Sequence, residues 1–130
     1  MNWIACGAIN AWIAVAAGAF AAHGLSQKLS PRYLEVFKTA ATYQFFHALG
    51  LILFGFWIHW AQNQVATSSH LAGWLLLIGI ILFSGSLYAL ALSGISFLGA
   101  ITPLGGLSFL AGWGVWAFQA IKNGPSGMNL

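Results

Sequence analysis

The sequence predicts an all-α membrane protein: four transmembrane helices in an up-down bundle, with a short interfacial helical segment before the second helix. Three observations point there. Of 130 residues, 60% are hydrophobic and 4% charged, against about 25% charged in soluble domains, so four basic residues and one acid cannot build a polar shell. Apolar runs recur at the length of about 20 residues that a hydrocarbon core about 30 Å thick requires. The breaks between runs hold most of the charges, the polar stretch AQNQVATSSH and two hydroxyl-proline pairs suited to starting helices.

The first span runs from Trp3 to Ala22 without a charge. Ala19-Phe20-Ala21 has the small-residue pattern of a signal-peptide cleavage site, but no positive region precedes Trp3 and the apolar run is longer than a usual h-region, so retention is expected. His23-Gly24 is expected to end the helix, with the glycine in the left-handed cap conformation. Gly7, Ala11, Ala14, Gly18 and Ala22 form a small-residue stripe that admits a neighbouring helix. Cys6 is the only cysteine, so it has no disulfide partner within the chain.

Leu25 to Lys38 holds three of the four basic residues and the sole acid, Glu35. Ser30-Pro31 is a helix start: serine accepts from a free N–H and proline suits the first helical position. The helix can run from there to Trp60, with its first turns at the interface and the span proper over Ala40 to Trp60. Ala61 to His70 is expected as a loop, Leu71 to Leu92 as the third span and Ser93 to Phe97 as a tight turn. Thr102-Pro103 repeats the start signal for a fourth span to Ile121. Leu98 to Ile101 offers the alternative of an earlier start with Pro103 as a kink. Residues 1–122 form one domain, and 123–130 read as a disordered tail.

Lys28, Arg32 and Lys38 lie in the first loop, the third loop has no basic residue, and the opposite side has only Lys122. By the positive-inside rule both termini face outward. Trp3, Trp57, Trp60, Trp74, Trp113 and Trp116 fall toward that outer end and are expected as an aromatic belt. A formal charge of +3 is too sparse for a nucleic-acid footprint.

The candidate functional residues are the polar ones at membrane depth. Tyr43 and His47 share a face by i, i+4 spacing with Gln44 adjacent. The antiparallel third helix brings Ser84, Ser86 and Tyr88 to the same half, where His23 ends helix 1 and Thr102 begins helix 4. Such residues act as interhelical glue, while an ionisable His47 inside the membrane points to ligand or proton handling; both readings stand. His59 and His70 are placed at the outer boundary. Two histidines with no nearby carboxylate or thiol do not make a metal set, and no cofactor or catalytic residue is indicated.

The segments GAFAAHGL (Gly18 to Leu25), FKTAATYQFFHAL (Phe37 to Leu49), FSGSLYALAL (Phe83 to Leu92) and GAITPLGG (Gly99 to Gly106) resemble, in order, the signature segments of the YgdD-like family. These are small bacterial inner-membrane proteins of unknown function with a eukaryotic transmembrane relative. The family usually has glycine where Ala21 stands and often tryptophan where Phe37 stands. The resemblance implies an inner-membrane location and supplies no catalytic residues.

The function expected is that of a non-enzymatic accessory or scaffold protein whose partners are the lipid bilayer and a membrane protein or second copy of itself. The alternatives are a binder of a lipophilic small molecule, quinone or lipid, and a proton or small-solute transporter using His47 and Tyr43. Against transport stand the missing internal repeats and broken helices.

Overall fold

The structure, a computed structural model, describes residues 1–64 and 69–123. Four helices long and apolar enough to cross a membrane follow one another: α1 (Trp3–Leu25), α2 (Pro31–Gln64), α3 (Leu71–Ser93) and α4 (Thr102–Asn123). α2 and α3 form the central pair; α1 packs along α2, and α4 packs along α3. Of the loop expected over 61–70, helix α2 takes 61–64, and 65–68 lie outside the described residues. Of the expected tail, Asn123 ends α4 and 124–130 lie outside them.

Helix α1 is capped by Asn2, whose side chain accepts from the Ala5 N–H at 3.0 Å. Its buried seam is Trp3, Gly7, Ala14, Ala21 and Leu25, with half-buried Asn10 and Ala17 between them. The steps of four and three give the 3.5-residue period of a left-handed crossing. This corrects the expected stripe: Ala22 is exposed, and a Cβ on Gly18 would meet nothing within 4 Å. At Gly7 the backbones do close in, since a Cβ there would lie 2.5 Å from the Ala48 carbonyl oxygen. Gly24 is not a left-handed cap either. Among the described residues only Gly94 has positive φ, and Gly24 lies in a π turn, Ala21–Leu25, with the Phe20 ring folded across it.

Helix α2 starts as its sequence demands, with Ser30 Oγ accepting from the Tyr33 N–H at 3.3 Å. Its 34 residues span about 51 Å at about 1.5 Å each, well beyond a hydrocarbon core of about 30 Å. The interfacial segment is therefore the first turns of α2 itself. Helix α3 contains a second π turn, Ile80–Ser84, and ends at Gly94 (φ 70°), whose N–H returns to the Leu90 carbonyl at 2.8 Å. A 3₁₀ turn, Ser96–Ala100, follows. Pro103 is then the second residue of α4, where its missing N–H breaks no helical bond, so it starts the helix and does not kink it.

The two ends differ. At one, Trp3, Phe54, Ile58 and Leu76 form a buried core flanked by Trp57 and Trp116. Trp3 meets Phe54 and Trp74 edge to face, and its Nε1–H donates to His70 Nδ1 at 2.7 Å. The expected belt is thus partly an aromatic core, because an indole that finds an acceptor inside the protein gains packing there that lipid cannot match. At the basic end, Ala21, Leu25, Phe37 and Ala91 form a second, smaller core.

Two substitutions test the seam. Gly7→Val pushes α1 off α2 and should cost about 1–3 kcal/mol, read as a lower thermal midpoint in detergent. Gly18→Ala should leave that midpoint unchanged.

Candidate functional site

The polar side chains at membrane depth sort into three separate groups. The largest is a hydrogen-bonded chain across three helices. Gln44, 5% exposed, accepts from the Tyr88 hydroxyl at its Oε1 (2.8 Å) and donates from Nε2 to Asn10 Oδ1 (3.1 Å). Asn10 in turn donates from Nδ2 to the Cys6 carbonyl at 3.0 Å. That last bond sets the direction of the rest. A carbonyl only accepts, so the Asn10 amide nitrogen must face Cys6 and its oxygen must face Gln44. Gln44 then has to donate, which leaves its oxygen for the Tyr88 O–H. Bonds aligned head to tail in this way polarise one another.

His47 stands apart from that chain. It is buried, and its ring Nδ1 bonds the Tyr43 carbonyl of its own helix at 2.7 Å. Because the acceptor is a carbonyl, Nδ1 carries the proton and the neutral ring keeps its lone pair on Nε2. The ring lies face to face with Phe109 of α4 at 3.4 Å between centroids and tilted to Trp113 at 5.9 Å. Its interhelical contact is aromatic where a polar one was expected. The Tyr43 ring is 43% exposed and packs on Phe83, so it meets His47 through its backbone oxygen and a loose ring stack.

The third group joins α3 to α4. Ser86 Oγ donates to the Phe83 carbonyl at 2.9 Å, and the Ser86 and Thr102 hydroxyls are 2.6 Å apart. A hydroxyl has one proton, so with Ser86 donating to Phe83, Thr102 donates to Ser86. Thr102 therefore ties two helices and does not cap α4. Nearby Ser108 Oγ donates to the Leu75 carbonyl at 2.7 Å.

Two candidates join none of these groups. His23 is exposed, within the π turn that ends α1. Ser84, 1% exposed, has no hydrogen-bond partner for its Oγ among the described residues. A membrane serine ordinarily bonds the carbonyl four residues back, but the π turn passes the Ile80 carbonyl to the Gly85 N–H.

Asn10 and His70 are the residues that reading the sequence passed over. Asn10 is the one amide side chain within α1, a signal that could have found it. His70, read as ordinary interfacial placement, accepts from Trp3 and lies 2.9 Å from the Gln62 amide through its other nitrogen.

Four apolar spans joined by short connections, with polar side chains bonded across helices in their interior, define a multi-pass helical membrane protein. The particular family follows from comparison with known sequences. The family model described as "Protein of unknown function (DUF423)" matches residues 17–106, and the chain belongs to that family. It is 47% identical over 120 residues to a UPF0382 membrane protein of Staphylococcus epidermidis, covering 92% of this chain and 95% of that one. It is equally similar to the UPF0382 membrane protein YwdK of Bacillus subtilis, 47% over 120 residues, covering 92% and 96%. A UPF0382 membrane protein of Staphylococcus saprophyticus is 50% identical over 111 residues, covering 85% and 89%. No solved structure matches. Gln44, His47, Ser84, Ser86, Tyr88 and Thr102 lie within the matched segment, and Asn10 lies before it.

The two kinds of polar residue should respond oppositely to truncation. Gln44→Leu strands the Tyr88 hydroxyl and the Asn10 oxygen and should cost about 2 kcal/mol. Ser84→Ala removes a hydroxyl that forms no bond and should be neutral or stabilising by up to about 1 kcal/mol. Thermal unfolding of both variants in one detergent checks the contrast.

Proposed function

We propose that the protein is a non-catalytic accessory or scaffold protein of the bacterial inner membrane, with both termini on the outer side. One observation carries the reading: most of the buried polar side chains that would have to do chemistry are engaged in bonds and ring contacts within the bundle. Tyr88, Gln44 and Asn10 bond one another, Ser86 and Thr102 bond one another, and His47 is bonded to its own backbone under Phe109. A proton path through His47 and Tyr43 has less support. The Tyr43 hydroxyl takes no part in the bond between the two residues, and the buried chain beside them runs through two amides, which do not titrate near neutral pH.

The orientation rests on Lys28, Arg32 and Lys38 at one end against Lys122 at the other. The inner-membrane assignment and the likeness to the YgdD-like family rest on the four segments quoted above. A fusion of a topology reporter to Leu130 should behave as periplasmic, and a cytoplasmic signal there overturns the orientation.

The decisive residue is His47. If its role is packing, His47→Gln and the wild type should carry the same co-purifying small molecules from pH 5 to 8, read by mass spectrometry of the purified proteins. A variant that stays folded yet loses a bound molecule shows that the imidazole holds a ligand, and overturns the accessory reading.

A further inference from the structure

Between α1 and α3, with α2 as its floor, runs a groove of about 440 Å³ open on the lipid side. That volume is within the range of about 300–1,000 Å³ typical of small-molecule sites. Its walls are Trp12, Ala16 and Phe20 of α1 and Leu92 of α3, with Phe37 and Tyr88 at the base. Trp12 is 73% exposed. Although Tyr88 lines the groove, its hydroxyl is turned into the bond to Gln44, and the surface presented is wholly apolar. An occupant is offered hydrocarbon contact there and no hydrogen bond. This disfavours a quinone, whose ring carbonyls would be left without donors, and suits an acyl chain.

The groove ends at the basic end of the bundle. Phe37 at its base is followed directly by Lys38, and the segment that leaves α1 and enters α2 carries Lys28 and Arg32. Glu35 is the only acidic side chain in the protein and pairs with Lys38 at 3.8 Å, so Lys28 and Arg32 have no acidic side chain to pair with. Arg32 is positioned over the Tyr33 ring, 5.9 Å from its centroid, and Tyr33 packs against the small core at the same end. Basic residues where an interhelical groove meets the headgroup layer recognise anionic phospholipids.

We propose that this groove is a binding site for an anionic phospholipid, with one acyl chain lying against Trp12, Ala16 and Phe20 and the headgroup phosphate held by Arg32 and Lys28. The inference goes beyond the accessory role, which neither requires nor supplies a lipid site. It holds whichever leaflet the basic end occupies.

The test uses the full chain purified in a mild non-ionic detergent and given dioleoyl phosphatidylglycerol or dioleoyl phosphatidylcholine, with bound lipid counted by native mass spectrometry. Phosphatidylglycerol should be retained at least fivefold over phosphatidylcholine. The double variant Lys28→Gln with Arg32→Gln should bring it down to the phosphatidylcholine level, and the exposed groove substitution Ala16→Phe should reduce retention of both lipids. All variants are first required to match the wild type in thermal midpoint. If Ala16→Phe fails that criterion, Ala16→Leu replaces it; loss of retention with Leu supports the site and unchanged retention overturns it. Equal retention of the two lipids, or no effect of removing Lys28 and Arg32, overturns the proposal. So does a stable dimer that Ala16→Phe dissociates, since the groove then belongs to a second copy of the chain.

Discussion

Inside a bilayer no water is available to finish a hydrogen bond, so each polar group placed there must find its partner within the protein. The bond from Gln44 to Asn10 is where this constraint acts on the whole bundle. Asn10 must face α2, and once it does the rotation of α1 is set: Trp3, Gly7, Ala14 and Ala21 are carried into the interface and Trp12 is turned out. The Tyr88 hydroxyl then places α3 against the same glutamine. Three helix rotations depend on one buried amide.

How much of this could be read from the sequence differs by feature. The spans were legible because composition and run length need no three-dimensional information. The start of α2 was legible because Ser30 and Pro31 act locally. The rotation of α1 was not, since glycine and alanine occur on several of its faces and small size alone does not select one. The polar anchor at Asn10 selects it. Gln44, Ser86, Tyr88 and Thr102 were grouped in the sequence by expected depth, but depth does not say who bonds whom, and the structure divides them between two separate sets of bonds. His47 shows why: its neighbours Phe109 and Trp113 are aromatic, and an imidazole that bonds its own backbone can present its face to such rings. The tryptophans expected as a belt include Trp3, Trp57 and Trp116, which share one core, because a belt and a core have the same sequence signature. What distinguishes them is an acceptor, His70 for Trp3, supplied from a distant part of the chain.

The bundle is also uneven along its axis. Rings fill the tryptophan end, where Phe54 meets Trp3 and Trp116 edge to face and Trp57 lies tilted against Trp116. Toward the basic end the buried alanines Ala14, Ala21, Ala40 and Ala41 sit among only a few larger side chains, Leu25 and Phe37, and α1 and α3 leave a groove between them. That groove keeps its apolar surface available to whatever shares the membrane.

The bond between Trp3 and His70 joins residues 67 positions apart, and the Tyr88 hydroxyl meets a glutamine 44 positions earlier. Chains emerge from the ribosome at about 5–20 residues per second, so Gln44 precedes Tyr88 by roughly 2 to 9 seconds. During that interval the hairpin of α1 and α2 is held by its apolar seam and by a single interhelical hydrogen bond, Gln44 to Asn10, with the Gln44 amide oxygen still waiting and the Trp3 indole N–H without its acceptor. The arrival of α3 closes both gaps at once. Biogenesis thus has a commitment point at the third helix, and α4 then adds its own bonds, Thr102 to Ser86 and Ser108 to the Leu75 carbonyl.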